Sequence, residues 1–293
     1  MTPIVIGMIA LASVLHATWN VLLKTSGDPL LTSGRAMIAG SVAGAPFVAL
    51  AWVLAPPPPI PPEAWVLGIL SGVIEAAYLI LLSAAYRRGD LSVVYPIARG
   101  SAALFAILSG VVLLGEQLGA GAIAGLIVLI SGLVLVQRPW QLLRRRSGRR
   151  VETAILFALA CGVSIASYST IDRVGVRIVA PWVFAAILFP VTALGVSLWI
   201  RFVDRANRTA VVPTWSKATA GGILAVATYA LVLAAYSIAP LSIVSPLRES
   251  AIVLVSGWGS FKLAEAVNRR DGLARVGGAA LIVVGAVVLA LGG

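Results

Sequence analysis

AAYRRGDLSVVYPIARGSAAL, residues 84 to 104, and AAYSIAPLSIVSPLRESAIVL, residues 234 to 254, lie 150 positions apart. They share Ala84-Ala85-Tyr86 with Ala234-Ala235-Tyr236, Leu91-Ser92 with Leu241-Ser242, and Pro96 with Pro246. The correspondence continues outward. With an offset of 149, Ala17, Trp19 and Lys24 face Ala166, Tyr168 and Arg173, and GLIVLISG (125–132) resembles GAALIVVG (278–285) after a small insertion. An internal repeat of this length means that one structural unit has been used twice.

Composition decides the solvent of that unit. Hydrophobic residues make up 60% of the 293 and charged ones 11%. Mean hydropathy is +1.01, well beyond the balance of soluble domains. Apolar stretches able to cross a hydrocarbon core of about 30 Å recur throughout, bounded by Pro, Gly or charged clusters. The expected spans are 3–23, 30–54, 64–86, 91–114, 119–137, 153–172, 180–203, 217–237, 241–263 and 272–291. The fold class expected is therefore all-α integral membrane, with ten transmembrane helices. Five helices per half is an odd number, so the second half must cross the membrane upside down relative to the first. The result is two inverted five-helix repeats around a central cavity, an arrangement many transporters use. The division expected is 1–137, a basic linker 138–152, and 153–293.

The net charge of +11 raises the question of an anionic partner. With the amino terminus outside, seventeen of the nineteen lysines and arginines in the expected loops face the cytoplasm, leaving Arg173 and Arg177 outside. This is the positive-inside pattern. It accounts for the basic runs as topology anchors, places both termini outside an inner membrane, and excludes a nucleic-acid role, which would want aromatic platforms among the basic residues of a soluble domain.

Enzyme chemistry has little to work with: one histidine, one cysteine (Cys161), no HExxH, no phosphate-binding glycine loop and no acidic cluster at metal-ligand spacing. No cofactor is expected. What the sequence does contain is charge inside the expected spans, which costs about 2.5 to 3.5 kcal/mol per residue at a helix centre. Arg99 and Glu249 occupy equivalent repeat positions, each three residues after a proline, Pro96 or Pro246. At about 1.5 Å per residue their depths differ by roughly 6 Å, within reach of an arginine side chain. Arg248 is the other basic candidate. Glu75 lies near the midplane and cannot snorkel, and His16 is at a similar depth with Asn20 on its helical face. Desolvation favours the protonated form of any carboxyl, which makes Glu75 a candidate proton carrier. Trp19, Tyr78, Tyr95, Tyr168, Tyr229 and Trp258 lie away from most span ends, so an interfacial belt does not explain them all, and a subset is free to stack on a substrate. Arg35 is near enough to a span end to serve as an interface anchor. Gly40 with Gly44, Gly68 with Gly72, and Gly121 with Gly125 have the spacing of close helix packing.

Ten spans in a five-plus-five repeat, HATWN (16–20) in the first helix, Gly115-Glu116 closing the fourth and glycine-spaced helices ending each half resemble the EamA-like branch of the drug/metabolite transporter superfamily. That resemblance extends to amino-acid exporters within the branch. It implies alternating-access export of amino acids or related small metabolites, with efflux of drugs or cations and metabolite uptake as alternatives, and a non-transporting membrane protein as the reading that leaves the inverted repeat and its buried charges without a purpose. The implied partners are a small-molecule substrate and the lipid bilayer, and Glu75 adds protons as a candidate coupling ion. Members usually keep both termini in the cytoplasm, the reverse of the orientation read from the charges here.

Overall fold

The computed structural model describes residues 2–88, 91–137, 149–204, 212–249 and 269–292. They form ten helices: α1 Pro3–Thr25, α2 Pro29–Leu54, α3 Pro62–Tyr86, α4 Leu91–Val112, α5 Ala120–Gln137, α6 Arg149–Ile178, α7 Pro181–Phe202, α8 Trp215–Ile238, α9 Leu241–Arg248 and α10 Arg269–Gly292. No strand occurs among the described residues. Local chemistry sets the starts. Proline opens α1, α2, α3 and α7, where its missing N–H costs nothing. Asp28 caps α2 by accepting from Leu30 N at 3.0 Å and Leu31 N at 2.9 Å.

Six helical segments are long and apolar enough to cross a membrane: Pro3–Asn20, Pro29–Leu54, Pro62–Tyr86, Glu152–Ile178, Pro181–Phe202 and Trp215–Ile238. Shorter apolar segments, Ile97–Val112, Ala120–Leu135 and Gly277–Leu289, accompany them. Large side chains such as Phe47, Val53 and Leu291 stand on the outer surface, as a lipid-facing wall requires. The chain is a multi-pass membrane protein.

Two boundaries differ from expectation. Helix α6 begins inside the expected linker and continues six residues beyond 172, because Asp172 and Arg173 both find partners and need not terminate it. Arg173 and Arg177, expected in an outer loop, therefore lie in its last turns. The ninth expected span is described only as far as Glu249; the remainder, with Trp258, lies outside the described residues, as do 138–148.

Packing is mostly pairwise, and α4 lies on both α6 and α9. Helix α1 lies on α8 while α6 lies on α3, α2 lies on α8 while α7 lies on α3, and α5 pairs with α10. Small residues set the distances. A Cβ on Gly72 would come 2.7 Å from Leu188 O, and one on Gly222, 150 positions later, 2.2 Å from Ala36 O. Gly40, Gly68 and Gly125 are equally tight, against Gly222, Ile187 and Leu289, whereas Gly44 has ordinary room. Contacts of Gly68 and Gly72 with Ile187 and Leu188, and of Ala76 with Gly195, run α3 parallel to α7. Ser71 with Asp172 and Tyr78 with Cys161 run α6 antiparallel to both.

Candidate functional site

A cavity of about 60 Å³ lies where α1, α2, α3, α4, α6, α7, α8 and α9 converge. Its wall includes His16, Trp19 and Asn20 from α1, Glu75 and Tyr78 from α3, Arg99 from α4, Tyr168 from α6, Phe189 from α7, Tyr229 from α8 and Arg248 from α9. Nine of the residues singled out from sequence thus meet at one place. Glu249 is buried just behind Arg99, and the side chain of Tyr95 is outside the described set.

The charged groups are arranged unequally. Arg99 Nη1 is 3.3 Å from Glu249 Oε1, so the pairing anticipated from depth is formed across the repeat. Its Nη2 lies 3.5 Å from Tyr78 Oη and also contacts His16 Nε2. A guanidinium only donates, so His16 accepts at Nε2 and carries its own proton on Nδ1. Arg99 is therefore engaged on three sides. Arg248, only 3% exposed, makes an ion-pair contact of 3.5 Å from Nη2 to Glu249 Oε1, yet its Nε and Nη2 find no hydrogen-bond acceptor among the described residues.

The acids on the α3 side are held by hydroxyls. Thr192 Oγ1 is 2.9 Å from Glu75 Oε2. Asp172 accepts from the hydroxyls of Ser71 and Tyr229. Ser71, Glu75 and Tyr78 fall at i, i+4 and i+7 on one face of α3. Three ring contacts line this wall: Tyr78 with Tyr168 at 6.0 Å, Tyr168 with Tyr229 at 5.9 Å and Phe189 with Tyr229 at 6.0 Å. Asn20 donates to His16 O at 2.7 Å, which occupies part of its amide within α1. Arg35 stands apart, donating to Pro213 O and lying 4.9 Å over the Trp215 ring.

Asp172, Thr192 and Ser71 were missed by sequence reasoning. Asp172 falls at the end of the expected span 153–172, where a charged residue reads as a boundary. An acid four residues after Tyr168, on the same helical face, was the available signal.

Ionic networks also tie helices together at the two ends of the bundle. At one end Arg87, just past α3, bonds Asp204 through Nη1 (2.7 Å) and Nη2 (2.8 Å), and Nη2 also reaches Asp28 Oδ2 at 2.8 Å. The hydrogen bond to Asp204, with help from Asp28, holds the guanidinium pKa above its ordinary value against the penalty of burial. Glu116, between α4 and α5, accepts at the other end from Leu241 N (2.7 Å), Ser242 N (2.8 Å) and Ser242 Oγ (2.7 Å). Arg173 Nε lies 3.6 Å from Glu116, and Arg173 Nη1 donates to Tyr236 O. Gly115 turns the chain with φ +64°, and Gly110 leaves room for the carboxylate, since a Cβ there would be 2.5 Å from Glu116 Oε2. Asp204 follows α7 and Arg173 precedes its start. The networks are therefore separated by the length of α7, roughly 33 Å for its 22 residues.

Residues 3–138 match the EamA-like transporter family. No curated protein matches the chain. A protein of known crystal structure, 22% identical, aligns over 97% of this chain and 96% of its own with a TM-score of 0.72. At that identity the likeness concerns the fold.

Proposed function

We propose that the EamA-like domain and the half that follows it form one secondary transporter, which exports amino acids or related small metabolites by alternating access. The observation that carries this reading is the charged cavity at the centre, with an interhelical ionic network at each end of the bundle. Room for a few waters is all that about 60 Å³ provides. A metabolite must therefore enter as helices separate, and one network must open while the other holds.

The paired contacts support two inverted halves. Exchanging the repeats maps Gly132 against Ile282 onto Gly285 against Leu129, and both contacts occur. Gly72 against α7 and Gly222 against α2 are exchanged at the level of the helices. Within this scheme the division at 138–152 joins the halves, the termini face outward at the inner membrane, and Glu75 carries coupling protons. Purified protein in liposomes loaded with labelled amino acids tests the reading directly. Exchange or efflux that disappears in Glu75→Gln, together with its pH dependence, is expected. No movement of any amino acid or related metabolite by the folded protein would refute it.

A further inference from the structure

We infer that Arg248 is the residue that takes a carboxylate group of the substrate, while Arg99 is a positioning residue that holds the cavity wall. This inference rests on the transporter reading and names the group recognised at its site. The two arginines are close neighbours in the same wall, and their bonding differs. Arg99 is committed to Glu249, His16 and Tyr78. Arg248 is equally buried, and its Nε and Nη2 have no hydrogen-bond partner among the described residues. Leaving donors of a buried cation unsatisfied is costly, so the arrangement calls for an acceptor that arrives.

The identity of the two nitrogens narrows that acceptor. Nε–H and Nη2–H point the same way along one edge of the guanidinium, the fork that accepts two oxygens of one carboxylate in parallel hydrogen bonds. Glu249 does not fill it, since its oxygen is 3.5 Å from Nη2 and makes no hydrogen bond there. A phosphate dianion has suitable oxygens but the wrong charge. Glu75 is in the same wall, Asp172 stands behind Tyr229 and Glu249 behind Arg99, so a doubly charged guest would face three acids with one available cation. A singly charged carboxylate leaves less to compensate, and Glu75 is placed to receive an ammonium on the same small molecule.

The test is binding by the purified full-length protein, read as thermal shift and by calorimetry, which does not require transport. The probes are the twenty amino acids, lactate, succinate and inorganic phosphate, with each amino acid that binds compared with its amide. The expected result is binding of at least one small carboxylate and at least tenfold weaker binding of its amide. Arg248→Lys, which keeps the charge but loses the fork, is expected to weaken the carboxylate at least tenfold and leave the amide unchanged. Its melting temperature without ligand should stay near wild type. Equal binding of acid and amide, wild-type affinity in Arg248→Lys, binding of phosphate alone, or no binding across the panel would each overturn the assignment. Carboxylate binding through Arg248 without movement in liposomes would instead uphold this site and refute the transporter reading.

Discussion

The two ends of the bundle are tied together by the same kinds of helix and by different chemistry. At the Arg87 end the contacts between described residues are ionic: one guanidinium meets two aspartates, all contributed by helix ends and the α1–α2 connection. At the Glu116 end a single carboxylate accepts two backbone N–H groups and a hydroxyl at the start of α9, and Arg173 stands 3.6 Å off as a lesser partner. The first closure depends on charge meeting charge. The second depends on a helix start, whose N–H groups lack intrahelical partners and favour an anion. A closure of the first kind answers to ionic strength and to loss of any one side chain, whereas one of the second kind answers chiefly to loss of the acid.

The central pair gives the scale for both, because it is the most enclosed. Arg99→Ala should leave Glu249, among the described residues, only the 3.5 Å ion-pair contact with Arg248, which makes no hydrogen bond, and lower stability by about 3 kcal/mol, the low end for a broken buried pair. Glu249→Ala in addition should recover much of that loss, and a double-mutant cycle by thermal or denaturant unfolding measures the coupling. Additive losses would mean that Arg99 acts through His16 or Tyr78 and that Glu249 is held by other groups.

Arg87→Ala comes next. Asp28 and Asp204 are nearly fully buried, but the Arg87 side chain is 22% exposed, so solvent replaces part of what is lost. A cost of about 2 to 3 kcal/mol is expected, with a cysteine at Ser26 becoming more reactive to a water-soluble reagent. If stability falls and Ser26→Cys stays protected, the network is structural and not a closure. Because the pKa of Arg87 is raised in the folded state, its contribution is full below the unfolded value and would fade only as pH rose through the folded one, above the range in which proteins are handled. Alkaline pH up to about 10 should therefore leave this end shut.

How much of this was legible depends on whether a residue's role follows from its own segment. Arg99 and Glu249 could be matched because equivalent repeat positions fix equivalent depths, and the glycines at 40, 68 and 72 revealed close contact through spacing alone. Asp28 and Asp204 gave no such signal. Each is an acid beside a helix end, and only folding across 59 and 117 residues brings them to Arg87, which by charge alone was a topology anchor. Glu116 was visible as half of a Gly-Glu pair. Its task was not, since the N–H groups it accepts belong to backbone 125 and 126 residues away and backbone donors leave no trace in side-chain pattern. The difference between Arg248 and Arg99 was hidden for the same reason: adjacency to an acid reads alike whether or not a hydrogen bond forms.

At the Glu116 end, Glu116→Ala should remove the acceptors of the α9 start at a cost of about 1 to 2 kcal/mol, less than at the Arg87 end. Glu116→Gln keeps one oxygen acceptor and should lose roughly half as much.

The smallest effect separates the closures most cleanly. Arg173 faces Glu116 at 3.6 Å, beyond good hydrogen-bond distance, and its clearest bond is to the carbonyl of Tyr236. Arg173→Lys keeps the charge and can still donate to that carbonyl, so stability should change by no more than about 0.5 kcal/mol. Salt extends the argument. At 1 M ionic strength the screening length is about 3 Å, and Arg87, being partly exposed, should lose part of its attraction to the aspartates. The bonds from Leu241 N, Ser242 N and Ser242 Oγ to Glu116 are direct contacts with little distance over which to screen. Raising salt from 0.1 to 1 M should therefore increase labelling of Ser26→Cys by a small factor while leaving a cysteine at Ser237, beside the other network, unchanged. Equal increases at both ends would show that the Glu116 closure also depends on long-range charge, and Arg173, not the helix start, would then be its main partner.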